Sequence, residues 1–249
     1  MYNNSICAFG TKNSAMKKIV ISLGGSILFP SLEQNRVQNY VPVLKEIALQ
    51  YQLFVVVGGG GEARRYIKTA RDLGIDEGTA DEIGILITRL NATMLVAAMG
   101  DDAYPRVAES HAEAKKFAEH KKCVIMGGIT PGQTTDAVAA ILAERVHASV
   151  FINVTSVDGI YNTDPKKDKK AKRYDYLTPR QLLEIVGNVQ LVAGLNTVLD
   201  IVAARVVERS GIPLVVLDGT DPKNLRSAIL NGNYKGTIVS NKKIQPLPI

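Results

Sequence analysis

Tryptophan is absent and aromatic residues make up only 6% of the chain. That argues against the stacked aromatic platforms that hold single-stranded nucleic acid. Cysteine occurs only as Cys7 and Cys123, in no CxxC pair, so neither a disulfide framework nor a zinc ribbon is expected. The histidines, His111, His120 and His147, are scattered. They form no ligand cluster, and no side chain is assigned as a resident metal ligand. No uninterrupted apolar run reaches the roughly 18 residues of a membrane helix. Residues 1–15 lack the charged and apolar regions of a secretory signal. They are read as a disordered extension before a domain that begins at Met16, and a cytoplasmic location is expected.

What is present is an ordinary globular mixture, 46% apolar and 22% charged over 249 residues, enough for one large domain or two small ones. A formal charge of +6 and a pI near 9.2 attract polyanions without choosing among them. Apolar runs at 19–23, 53–57, 123–126, 149–154 and 213–217 read as strands, with a last one at GTIVS. Between them lie helical stretches at 37–50, 62–73, 81–99, 136–147, 178–186, 198–209 and 221–230. The strands are continuously apolar and do not alternate, as strands buried on both faces do. The expected fold is therefore α/β, a three-layer α/β/α sandwich on a mainly parallel sheet. The lysine-rich run 166–173 is the one low-complexity stretch. It reads either as a solvated loop or as an attractor of nucleotides, and it lies near a seam between two halves.

Three strand ends share one design, in which an apolar strand runs into glycine and a helix follows. Gly24, Gly25 and Ser26 follow the first strand. Gly58, Gly59, Gly60 and Gly61 follow the second, with Arg64 and Arg65 just beyond. Gly127, Gly128 and Gly132 follow a third, which leads through Thr134 and Thr135 to Asp136. Glycine lets backbone approach a ligand closely, and a helix N-terminus offers unpaired N–H groups to anions. Three such turns on one sheet edge suit a ligand with several phosphates. The GxxxxGK[ST] grip is absent. The Rossmann spacing of Gly58, Gly60 and Ala63 lacks the strand and acidic residue that should follow it, so a dinucleotide site is not favoured. The segment NVTSVDGIYNTDP reads either as a polar loop with two turns or as a pocket for adenine and ribose. Asp200, at the start of a helix, reads either as a cap or as a catalytic carboxylate.

In order along residues 17 to about 240, the stretches ISLGGS, VVVGGGGEARRYI, TADEIGILITRLNA, GGITPGQTTDAVAA, VTSVDGIYNTDPKKD, LTPRQLLEIVG and VLDIVAARVVERSGI resemble the amino-acid kinase family. Within it they resemble the UMP kinases of archaeal type. The resemblance implies ATP-dependent phosphorylation of UMP to UDP in pyrimidine nucleotide synthesis, with Mg²⁺ accompanying ATP. It places Gly25, Ser26, Gly60 and Arg64 at the ATP phosphates, and Thr155, Ser156, Tyr161 and Asp164 at the adenosine. Gly59, Asp81 and Ile129, Thr130, Pro131, Gly132, Gln133, Thr134 and Thr135 fall to UMP, while Asp200 and Arg64 serve the transfer itself. It also implies a homo-hexamer built from dimers, with the apolar face of Ile83, Ile87, Leu90 and Met94 as a dimer contact. An acceptor-binding lobe would span about 16–147 and an ATP-binding lobe about 148–249.

Many family members carry a lysine where Ser22 stands here. Arg64, helix N-termini, Mg²⁺, Lys17 or Lys18 are the candidates to replace its charge. A kinase with another small acceptor, or a nucleotide-binding storage or sensor protein of the same fold, are the rival readings.

Overall fold

The computed structural model describes residues 16–163, 165, 168–190 and 198–249. The proposed extension 1–15, Asp164, and Lys166 and Lys167 of the lysine-rich run lie outside the described residues. Strand β1 (Lys18–Leu23) leads into a short helix α1 (Gly25–Leu28), then α2 (Val37–Gln50) and β2 (Gln52–Val57). Helices α3 (Gly60–Asp72) and α4 (Glu77–Met99) follow, then α5 (His111–Phe117), β3 (Cys123–Met126), α6 (Thr135–Val146) and β4 (Val150–Thr155). The chain ends with β5 (Tyr176–Leu177), α7 (Pro179–Gln190), α8 (Ile201–Ser210), β6 (Leu214–Asp218), α9 (Pro222–Asn231) and β7 (Gly236–Val239).

The strands form one sheet in the order β3-β2-β1-β4-β6-β7-β5. From β3 through β6 every pairing is parallel, and β7 runs antiparallel to β6. The expected sandwich is present, with two reversed strands, β7 and β5, added at one side. Alternate residues of the same strands feed two cores. Ile19, Ile21, Leu53 and Val55 pack on the side of α2, α4 and α9. Val20, Phe54, Val56 and Phe151 pack on the side of α6 and α8. Each large apolar side chain buried this way contributes roughly 1.5–3 kcal/mol, so double-sided burial of β1, β2 and β4 anchors the domain. Because the central strands are parallel, their C-terminal ends all reach the same edge, and every glycine turn lies there.

By length and composition alone, helix α4 is long and apolar enough to cross a membrane. Its composition has another origin. The buried stripe is Gly84, Thr88, Asn91, Leu95 and Met99, whereas Leu90 is 54% exposed and Ile83, Ile87 and Met94 are only partly covered. The first half of the helix thus turns the small or polar Gly84, Thr88 and Asn91 inward, and Leu95 and Met99 join the core only toward its end. The elements missed by periodicity, α1, α5 and β5, are too short to show one.

Candidate active site

The first two glycine turns interlock. Gly58 N donates to Leu23 O at 3.0 Å, and Gly24 N donates to Val154 O at 3.0 Å. The ends of β2, β1 and β4 are thereby tied in a row. A Cβ on Gly25 would lie 2.1 Å from Gly60 N and 2.4 Å from Gly58 O, both backbone atoms. Gly60 has φ of +70°, a conformation open to glycine. Helix α4 braces the pair, since Asn91 Nδ2 donates to Gly58 O at 3.0 Å and to Gly59 O at 3.3 Å.

The third turn, between β3 and α6, is held by side chains. Thr88 Oγ1 accepts from Gly128 N at 2.7 Å, and Arg89 Nε donates to Gly128 O at 3.1 Å. Asp81 Oδ2 accepts from Gly132 N at 2.7 Å. Thr134 caps α6 by accepting from Ala137 N at 3.1 Å, and its hydroxyl donates to Asp200.

Between these turns lies a cavity of about 420 Å³, within the usual range for a small-molecule site. Gly59, Gly60 and Arg64 wall one side, and Asp81 and Thr88 another. Thr130, Gly132, Gln133, Thr134 and Thr135 close it. Of the residues expected here, Ile129 and Pro131 are not in the wall; Ile129 is packed against the α6 side of the core instead. Ala63, Ile67, Gly84 and Ile85 add apolar wall that motif reading did not assign. Arg64 makes no ion pair among the described residues, whereas Arg65 pairs with Glu62 at 3.1 Å. The two arginines are adjacent in sequence, but only Arg64 is turned to the cavity.

A family model for the amino acid kinase family matches residues 17–218. The chain belongs to the amino acid kinase family. Two archaeal relatives, each called uridylate kinase, are similar over nearly their whole length. That of Methanoregula boonei is 66% identical over 234 residues, covering 94% of this chain and 100% of the relative. That of Methanoculleus marisnigri is 62% identical over 233 residues, with 94% and 100% covered. The crystal structure of uridylate kinase from Archaeoglobus fulgidus superposes with a TM-score of 0.80 at 44% identity, covering 90% of this chain and all of that one.

For an amino acid kinase, the polar residues beneath the turns carry the next question. Ser22 and Asn153 face each other in register on β1 and β4, and both are buried in otherwise apolar strands. Ser22 Oγ donates to Asp136 Oδ1 at 2.6 Å, and Asn153 Nδ2 donates to Val198 O at 2.8 Å. Buried polar groups are costly unless bonded, so their purpose is to seat the first turn of α6 and the segment leading to α8. Burial pushes the Asp136 carboxyl up to about 6, with the nearby Asp200 charge adding to the rise; bonds from Ser22 and Asn153 oppose it. Asp136 was read only as the end of a turn. The polar interruptions in ISL and INV were the signal that could have pointed to it.

Asp200 is indeed a cap, accepting from Val202 N at 2.7 Å and Ala203 N at 3.0 Å. Its other oxygen accepts from Thr134, so the same carboxylate also touches the cavity-lining loop. The alternatives of Lys17 and Lys18 as replacement cations are corrected by the fold. Lys18 begins β1, and its ammonium donates to Val146 O at 3.0 Å, at the C-terminal end of α6. Four strand residues separate it from Ser22, roughly 13 Å, and Lys17 lies further still. Of those candidate side chains, only Arg64 reaches the site edge.

On the other flank, Ser26 is exposed on α1, Thr155 ends β4 and Ser156 follows it. Gly219 N donates to Thr155 O at 2.8 Å. Tyr161 lies beyond them, its hydroxyl donating to Asp158.

Proposed function

We propose that this chain transfers the terminal phosphoryl group of ATP to UMP, giving ADP and UDP. The observation that carries the reading is the cavity where a packed glycine turn, Arg64 and a loop pinned by Asp81, Thr88 and Asp200 converge. Relatives called uridylate kinases at up to 66% identity support it.

In this reading UMP occupies the cavity with its phosphate toward Gly59 and Arg64 and its ribose toward Asp81. The loop 129–135 wraps it. ATP lies across Gly25, Ser26 and Gly60, with its adenosine toward Thr155, Ser156 and Tyr161; Asp164 would complete that end. The acceptor residues all precede residue 147, and the residues assigned to the adenosine end all follow it, which supports the two-lobe division. Phosphoryl transfer depends on positioning and charge stabilisation rather than on covalent help from the protein. Arg64 supplies mobile positive charge between the two nucleotides. Backbone N–H groups supply fixed charge, as the helix ends above them do. Asp200, fixed by its cap and by Thr134, holds the head of α8 against the acceptor loop.

Mg²⁺ fits the donor set. Asp136 and Asp200 are hard oxygen donors, and Asp200 is close enough for its charge to help raise the Asp136 carboxyl; Mg²⁺ commonly takes one or two carboxylates plus substrate phosphates. When bound it would neutralise phosphate charge. The half-exposed stripe Ile83, Ile87 and Leu90 on α4 supports a dimer contact within a homo-hexamer, and a cytoplasmic biosynthetic role accords with these substrates.

A coupled assay decides among acceptors: ATP and Mg²⁺ with UMP, CMP, acetylglutamate and isopentenyl phosphate in turn. UDP accumulation with UMP as the preferred acceptor is expected. Turnover of another acceptor alone, or ATP binding without any turnover, would sink the reading.

A further inference from the structure

Beyond the end of β4, one carboxylate gathers an unusual set of donors. Asp158 Oδ1 accepts from the Tyr161 hydroxyl at 2.6 Å. Its Oδ2 lies 2.6 Å from Lys235 Nζ and 3.2 Å from Arg173 Nη1. Arg173 also donates to Asp158 O at 3.3 Å and, through Nη2, to Asp175 at 2.7 Å. The donors come from separate stretches: the loop after β4, the segment before β5, and the turn before β7. Burial alone would raise the Asp158 carboxyl, but the bonds from Lys235 and Tyr161 and the charges of Lys235 and Arg173 hold it below its ordinary range.

The backbone around this carboxylate is equally constrained. Gly159 has φ of +144°, and a Cβ there would lie 2.5 Å from Thr237 Oγ1 and 2.7 Å from Arg173 Cδ. Ile160 N donates to Thr237 Oγ1 at 2.8 Å, and Thr237 donates on to Tyr174 O at 2.5 Å. Tyr161 and Arg173 pair as a short antiparallel bridge, with Tyr174 N on Ile160 O at 2.8 Å. Arg173 Nε is buried without a partner among the described residues. An orphan donor is a cost, and it is tolerated where the rest of that guanidinium is committed to holding a neighbour. A tyrosine whose hydroxyl is bonded cannot spin that group toward a ligand. What it presents instead is a ring at a fixed tilt, on a side chain that remains partly exposed.

We propose that Asp158 is a positioning residue for the nucleotide donor: it fixes the Tyr161 ring so that its face meets the adenine of ATP. The inference rests on the reading of Tyr161 as part of the ATP side. A pre-set ring avoids the ordering cost that a free side chain incurs on binding. Base–aromatic stacking then acts fully, and Arg173 and Lys235 serve as the fixed cations that hold Asp158 in place.

The test uses the full-length enzyme and reads KM for ATP, KM for UMP and kcat separately for each variant. Tyr161→Ala removes the ring and is expected to raise KM for ATP by about tenfold or more. Asp158→Ala, which removes the acceptor, and Tyr161→Phe, which removes the donor, each cut the same hydroxyl–carboxylate bond. Each is expected to raise KM for ATP about three- to tenfold, with KM for UMP and kcat within about twofold. The double variant should add nothing to the single ones, because both remove one interaction. If Tyr161→Ala leaves KM for ATP unchanged, the ATP-side reading itself is wrong. If Tyr161→Ala acts but Tyr161→Phe does not, or the two single effects simply add, only the positioning role is overturned. Should Asp158→Ala fail to fold, Tyr161→Phe with its intact ring decides the matter alone.

Discussion

At the ends of β1 and β2, glycine meets glycine backbone to backbone, whereas the loop between β3 and α6 stands open and is pinned by side chains. In the first region Gly25 would clash with Gly60 N at 2.1 Å if it carried a Cβ. In the second, Gly132 has nothing within reach of an added Cβ, and its N–H is held instead by Asp81. The packed pair gives a rigid floor that suits the common element of both substrates, the phosphate. The pinned loop can exchange its bonds one at a time. In the proposed reading Asp81 releases Gly132 and turns to the ribose of UMP, which suits the loop to the part of the site that recognises one acceptor. Rigidity and selectivity are thus assigned to different strand ends.

The largest effect follows from breaking the packed region. In Gly25→Ala the added carbon has backbone on its far side, which cannot swing away. Overpacking of this kind costs about 1–3 kcal/mol or more, and here it also parts the two turns. Activity should fall by about two orders of magnitude or more, because misplacement by about an ångström is enough to spoil alignment. The unfolding midpoint should drop as well. Near-normal kcat in a purified Gly25→Ala enzyme would show that the interlock is not the floor of the site.

Next comes the charge between the regions. Arg64→Ala is expected to lower kcat by about 10²-fold, the usual effect of losing a transition-state donor, while the thermal midpoint stays within the small change typical of surface substitutions. Arg65→Ala, which breaks only an exposed pair with Glu62, should leave kcat within about twofold. Equal losses in both would refute the assignment of the free arginine.

A smaller, pH-dependent effect comes from Asp136 beneath the turns. Its carboxyl is raised to about 6 in the folded chain from an ordinary value of 3.8. The folded state therefore binds the proton more tightly. That contribution to stability is complete below about pH 4 and is lost as pH rises through about 6. In the ligand-free enzyme with chelator, Asp136→Asn keeps an acceptor for Ser22 but never ionises. It should be more stable than the parent at pH 7.5, by on the order of 1–3 kcal/mol, and the gain should shrink toward pH 4.5. Thermal melts across that range check the sign. A gain that grows toward acid would mean Asp136 is stabilised as an anion.

How much of this could be read from sequence differs between the same two regions. The strands of the central sheet announce themselves as uninterrupted apolar runs, because each is buried on both faces, and the glycines mark their ends. The helices α2, α4 and α6 are long enough to show their period. What does not show is why the inward face of α4 is small and polar: Gly84, Thr88 and Asn91 take that place because the turns need close approach and side-chain bonds. Nor does the sequence show that Ser22 and Asn153 are register neighbours serving Asp136, since that pairing spans more than a hundred residues. Similarly, Lys18 is close to Ser22 along the chain but far from the site, because a strand carries its residues steadily away. Local patterns survive reading; contacts made across strands and helices do not.

The smallest effect, and the one that sharpens the comparison most, is at the fourth glycine of the second turn. Gly58, Gly59 and Gly60 each have a neighbour closer than about 3 Å to an added Cβ, but Gly61 has nothing within 4 Å. It also sits in the first turn of α3 with no positive φ to satisfy. Gly61→Ala should therefore be accepted, and it should stabilise the protein by roughly 0.5–1 kcal/mol, because alanine is the better helix former and restricts the unfolded chain. Activity should remain within about twofold, since Gly61 lies outside the cavity wall. Gly60→Ala, one residue earlier, should lose most activity, because it combines φ of +70° with a contact of 2.8 Å to Gly25 C. If Gly61→Ala proved as damaging as Gly60→Ala, close packing would not be what distinguishes the first two turns, and direct contact with phosphate along the whole GGGG run would have to take its place.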